Sequence, residues 1–230
     1  MMILIISILA IAVLLFLFYA SYSIQSGIYI SALCRNPKAE KVVALTFDDG
    51  PDTVQTPKVL DILKKYGIKS CFFIIGKKVA GNEDIVRRIK EEGHLLGNHG
   101  YGHSGKFPLY SLSKMVKDVE ECSNGLEKTT GNRVNLFRPP FGVTNPTIAQ
   151  MVKKLNLTTI GWNVRTLDTC IKDDNKILKR IERKLSPGSV ILLHDSLKSS
   201  DTLLEKVIAL VYSKGYRCIG IDELFNLKIQ

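Results

Sequence analysis

The chain has 230 residues, enough for one medium domain with a sizeable core plus an accessory segment. Its 45% hydrophobic and 23% charged residues are ordinary for a globular protein, and it holds neither a low-complexity tract nor a repeat of solenoid period. The net charge of +10 sits on scattered residues such as Lys58, Lys64, Lys65, Lys69 and Lys77, without a basic run. It reads as solvated helix faces and not as a nucleic-acid footprint.

Met1–Ala20 is almost wholly apolar, and no charged side chain appears before Arg35. About 20 helical residues at roughly 1.5 Å each span a bilayer core, so residues 1–20 are expected to form a transmembrane helix, either an uncleaved signal anchor or a signal peptide. Ser21-Tyr22-Ser23 is a weak small-x-small cleavage site, and an anchor is the preferred reading. Arg35, Lys38 and Lys41 follow the span, an asymmetry that taken alone favours a cytoplasmic carboxyl half. These charges are few and distant, and the function argued below outweighs them. Residues 21–40 are expected to be a linker and residues 41–230 the folded domain.

From Val42 the pattern alternates short apolar runs with amphipathic stretches. Strands are expected at Val42–Phe47, Ser70–Ile75, His94–Asn98, Val134–Arg138, Thr158–Val164, Ser189–His194 and Arg217–Ile221. Helices are expected at Lys58–Tyr66, Asp84–Glu92, Leu112–Lys128, Thr147–Leu155, Lys176–Leu185 and Thr202–Lys214, several of them followed by glycine at the capping position. About seven strands alternating with helices imply an α/β fold with a parallel sheet. Polar residues at the carboxyl ends of five strands favour a distorted (β/α) barrel over an open sheet. The five cysteines (Cys34, Cys71, Cys122, Cys170 and Cys218) form no CxxC pair and no legible disulfide framework.

Four motifs occupy those strand ends. Thr46-Phe47-Asp48-Asp49-Gly50-Pro51 places an acid at the mouth of the fold, although a turn of self-bonded Asp residues fits it equally. His99-Gly100-Tyr101-Gly102-His103 is either a pair of surface histidines or, joined by a carboxylate, a three-ligand zinc set with an open position. Arg138-Pro139-Pro140-Phe141-Gly142 sets an arginine where it either ionises a carboxylate or makes an ordinary loop ion pair. Leu192-Leu193-His194-Asp195 ends a buried strand in a histidine suited to acid chemistry, or satisfied within the core.

In this order and at these strand ends, the motifs resemble the polysaccharide deacetylase family of carbohydrate esterases, over roughly Lys41–Leu224. The resemblance implies that Asp49, His99 and His103 bind a divalent metal, zinc foremost, with cobalt or nickel as alternatives. It implies that Asp48 is the general base, held ionised by Arg138, and that His194 protonates the leaving group with Asp168 keeping it charged. Phe141 would offer its backbone N–H to the oxyanion, and Leu192 would line the acetyl pocket.

The implied activity is hydrolysis of acetyl groups on an N-acetylated polysaccharide such as peptidoglycan or a chitin-like chain. The alternatives are an O-acetyl esterase acting on xylan or another envelope glycan and, in a different class, a non-catalytic carbohydrate-binding module. The expected partners are an acetylated glycan and, through residues 1–20, a membrane; neither nucleic acid nor a protein partner is indicated. The catalytic domain is expected outside the cytoplasm, anchored, or secreted if the signal is cleaved.

Four positions depart from the family pattern, one of them Phe141, which replaces a frequent tyrosine at little cost if only its backbone acts. Gly100 replaces a hydroxyl residue, which is expected to loosen the histidine loop. Arg165 replaces an acid, and Thr169 replaces a tryptophan that lines the substrate groove.

Overall fold

The structure is a computed structural model that describes residues 1–228. Its strands are β1 (Val42–Gly50), β2 (Cys71–Ile74), β3 (Leu95–Asn98), β4 (Leu136–Phe137), β5 (Thr158–Thr159), β6 (Val164–Arg165), β7 (Ser189–His194) and β8 (Arg217–Cys218). Its helices are α1 (Met2–Tyr22), α2 (Gln55–Tyr66), α3 (Glu83–Glu91), α4 (Leu112–Thr130), α5 (Pro146–Lys154), α6 (Asp174–Lys184), α7 (Ser200–Ser213) and α8 (Ile221–Phe225). Seven strands run parallel in the order β5-β4-β3-β2-β1-β7-β6, and β8 pairs off this path with β1.

Alternation along the central strand β1 builds two cores, because successive side chains leave opposite faces. Val43, Leu45 and Phe47 join the core under the surrounding helices. Val42 and Ala44 face inward with Cys71, Phe73, Leu136, Ile160, Val190 and Leu192, where Ile221 and Leu224 of α8 also pack. Thr46 and Asp48 follow on this inward face toward its carboxyl end, and both are buried.

One expected element is corrected. The apolar run 158–164 is not a single strand: β5 pairs with β4, while β6 pairs with β7 at the other edge of the sheet. The sequence Ile160-Gly161-Trp162-Asn163 crosses between the two edges, and its apolarity comes from burial inside the barrel (Ile160 0%, Trp162 7% exposed). The barrel is therefore open between β5 and β6.

The stretch between α1 and β1 packs along that opening. Leu33 bridges to Ile160, donating its N–H to Thr159 O (2.9 Å) and accepting from Gly161 N–H (3.0 Å), and Arg35 bridges to Ser189. Ile24 and Ile30 are buried. α1 itself is long and apolar enough to cross a membrane by length and composition. Its carboxyl end is tied to the domain: Thr144 donates from its N–H to Ser21 O (2.8 Å) and from its hydroxyl to Ala20 O (3.0 Å).

Candidate active site

The site begins with an irregularity in β1. Neighbouring strand residues point to opposite faces, so Asp48 and Asp49 should diverge. The β1–β2 register instead slips between Asp48 and Gly50, and Asp49 takes a positive φ of 69°. This bulge turns the second carboxylate back, and both acids line one pocket of about 240 Å³ with His99, His103, Phe141, Leu192 and His194.

Asp49 Oδ1 lies 3.5 Å from His99 Nε2 and 3.2 Å from His103 Nε2. The ligand atoms of the three residues all fall within 4.8 Å of one another. His99 Nδ1 sits 2.8 Å from Arg138 O, and a carbonyl only accepts, so the ring proton is on Nδ1 and a lone pair on Nε2 faces the carboxylate. Burial, reinforced by the neighbouring His103, lowers His99 to about 3 and keeps it neutral. Burial also lowers His103. Asp49 Oδ1 is buried without a hydrogen-bond partner. Converging acceptors around an orphaned carboxylate oxygen are the donor set of a divalent cation, and these residues fit one.

Behind this triad Arg138 is completely buried. It donates to Asp48 Oδ1 (2.6 Å), Thr46 Oγ1 (3.0 Å), Ile160 O (3.0 Å) and Gly161 O (2.9 Å). Burial raises Asp48 above the ordinary carboxylate range, while Arg138 and then His194 pull it down. Across the pocket, His194 Nδ1 donates to Asp168 Oδ1 (2.8 Å), and its backbone N–H donates to Asp168 Oδ2 (2.8 Å). Burial works against charge on His194, but Asp168, Asp48 and Asp49 outweigh it and hold the ring up at about 9. His194 Nε2 points back into the site, 3.9 Å from Asp49 Oδ2. The expected acid, base and metal-binding groups thus share one pocket, with Arg138 and Asp168 just behind it.

Several contributors escape a reading of motifs. Asp118 on α4 accepts from Tyr101 N–H (2.8 Å) and Gly102 N–H (3.2 Å), and Asn98 Oδ1 accepts from Gly100 N–H (2.8 Å). The histidine loop is therefore braced by side chains outside its own motif. A Cβ on Gly100, at φ 76°, would come 3.0 Å from Asp118 Oδ1. The Phe141 side chain also takes part, its ring 4.7 Å from the His103 ring between centroids. Trp162 forms a wall of the pocket, packed so closely over Gly142 that a Cβ there would overlap the indole.

Comparison with known proteins agrees with this geometry. The family model described as polysaccharide deacetylase matches residues 35–160. The chain belongs to the polysaccharide deacetylase family.

Among its relatives, this deacetylase-family chain is 33% identical over 193 residues to the peptidoglycan-N-acetylglucosamine deacetylase PgdA of Listeria monocytogenes. The match covers 84% of this chain but only 41% of that protein. It is 31% identical to the peptidoglycan-N-acetylmuramic acid deacetylase PdaC of Bacillus subtilis, over 83% of this chain and 40% of the relative. The solved structure of the peptidoglycan N-acetylglucosamine deacetylase Bc1960 is similar with a TM-score of 0.80 at 30% identity, covering 86% of this chain and 94% of that one.

Proposed function

We propose that this protein is a metal-dependent hydrolase that removes acetyl groups from the N-acetylated hexosamines of peptidoglycan. The observation that carries the reading is the orphaned Asp49 oxygen facing two histidine nitrogens, in one pocket with the Asp48–Arg138 and His194–Asp168 pairs. The names of the relatives support the substrate class.

Asp49, His99 and His103 would hold the divalent ion, and zinc suits this mixed nitrogen and oxygen set, with cobalt or nickel as alternatives. When bound, such an ion acts as a Lewis acid on the acetyl carbonyl and acidifies water. Asp48 takes the proton of the attacking water, and the burial that raises its carboxyl makes it a better base than an exposed aspartate. The Arg138 guanidinium keeps Asp48 ionised and fixes which oxygen faces the pocket. His194, charged and oriented by Asp168, delivers a proton to the departing nitrogen. The Phe141 backbone N–H serves the developing oxyanion, and Leu192 lines the pocket for the acetyl methyl.

In this reading α1 anchors the protein in a membrane, residues 41–230 form the catalytic domain, and that domain lies on the extracytoplasmic side, where peptidoglycan is found. The test is acetate release from acetylated glycans with and without a chelator. Acetate from N-acetylglucosamine oligomers or peptidoglycan, abolished by chelation and restored by zinc, is the expected result. Release from O-acetylated xylan alone would move the assignment to an esterase.

A further inference from the structure

One cation in the pocket is left over by the mechanism above. Asp48 is paired with Arg138, His194 with Asp168, and Asp49 faces the two histidines. Arg165, half-buried at the end of β6, lines the same pocket, and among the described residues no carboxylate oxygen lies within 4.0 Å of its guanidinium. The guanidinium lies 5.9 Å from the centroid of the Trp162 ring.

Its backbone is fixed on two sides. Arg165 pairs in register with Leu192 of β7, and its carbonyl accepts from Arg180 Nε (2.7 Å). Trp162 is fixed in turn by its close packing on Gly142. An arginine on a fixed backbone, its guanidinium beside an aromatic face, is partly pre-organised, because less freedom remains to be lost when it binds. Thr169 lines the pocket beside it and is small, so the approach to the guanidinium is not filled by a bulky side chain.

We propose that Arg165 is a specificity-determining residue that binds a carboxylate carried by the acetylated sugar. The planar guanidinium fork matches a carboxylate with two charge-assisted hydrogen bonds. The pocket is only about 240 Å³, so the carboxylate must sit on the reacting sugar, close to the acetamido group. A hexosamine bearing a lactyl ether on the carbon next to its acetamido carbon, as in N-acetylmuramic acid, meets that requirement. An unsubstituted N-acetylhexosamine leaves the cation unmatched. This inference rests on the deacetylase reading and narrows its substrate.

The test uses the full chain in detergent, loaded with zinc, and a disaccharide of N-acetylglucosamine and N-acetylmuramic acid in two forms. In one the lactyl carboxylate is free; in the other it is a carboxamide of nearly the same shape. The wild type should turn over the acid with a higher kcat/KM, carried mainly by KM. In Arg165→Gln the ratio of acid to amide should fall about tenfold or more, the scale of a charged hydrogen-bonded contact. Arg165→Lys, which keeps the charge but loses the fork, should give an intermediate ratio.

Each ratio is taken within one preparation, so partial misfolding of a variant does not alter it. Equal turnover of acid and amide by the wild type, or an unchanged ratio in Arg165→Gln, would overturn the assignment of Arg165 and leave the deacetylase intact. Absence of acetate from both disaccharides, and from N-acetylglucosamine oligomers, would overturn the deacetylase reading itself and this inference with it.

Discussion

Asp49 adopts a backbone conformation unusual for a residue with a side chain, and that conformation turns two adjacent acids toward different partners. Asp48 points into the Arg138 guanidinium and Asp49 toward the histidines. In the proposed mechanism His194 has the complementary task, so its loss should depend on the leaving group. An aryl acetate departs with little protonation, whereas an amide nitrogen needs it. His194→Ala should therefore bind metal like the wild type and keep much of its aryl esterase rate, while losing about 10²-fold or more on an N-acetylated sugar. Equal losses on both substrates, measured as kcat, would make His194 structural. The residues of the DDGP, HxxxH, RPPFG and LLHD motifs were legible in sequence because each ends a short apolar strand. Trp162 and the ring of Phe141 were not, since their importance lies in what they touch: Gly142 and His103 are partners only in the folded chain.

At the scale of elements, α4 matters more than its amphipathic pattern suggests. One turn of this helix presents Asp118 to two N–H groups of the His99–His103 loop. Asp118→Ala should weaken metal affinity by roughly 10- to 100-fold, the usual effect of losing a group that orients ligands, with little change in helix content. Competition with a chromophoric chelator measures it. At the opposite end of β3, His94 is buried and accepts from Ser70 N–H (3.2 Å), and burial lowers it to about 4 from 6.5.

Between those two values the unfolded chain binds a proton that the folded one does not, so stability falls as the pH drops from 6.5 toward 4. The full effect of this one group is on the order of 3 kcal/mol. His94→Gln should make that fall shallower by the share of one proton, the buried His99 and His103 supplying the remainder, in urea unfolding followed from pH 7 to 5. Strand order within the barrel was also only partly readable. Alternating apolar runs announced β1 and β7, but Thr158–Val164 looked like one strand, because apolar residues in a buried crossing carry the same signal as apolar residues in a strand.

For the whole molecule, the sequence suggested an anchor, a linker and a domain, yet residues 24–36 lie along the open side of the barrel. No periodicity marks such a segment, since its bonds to Thr159, Gly161 and Gly188 are long-range backbone contacts. A chain beginning at Ala20 should fold cooperatively without detergent. One beginning at Lys41 should lose the burial of Ile24 and Ile30, about 2 kcal/mol for each side chain, and melt several degrees lower. Thermal unfolding of the two truncations decides between a covering segment and a tether.

The central claim, that one pocket holds a metal and separately activates water, is tested most directly by measuring bound zinc and acetate release together in the wild type, His103→Ala and Asp48→Asn. The account predicts about one zinc per chain and steady acetate release for the wild type, loss of both in His103→Ala, and full zinc with almost no acetate in Asp48→Asn. Full zinc in His103→Ala, or undiminished acetate release from Asp48→Asn, would contradict it.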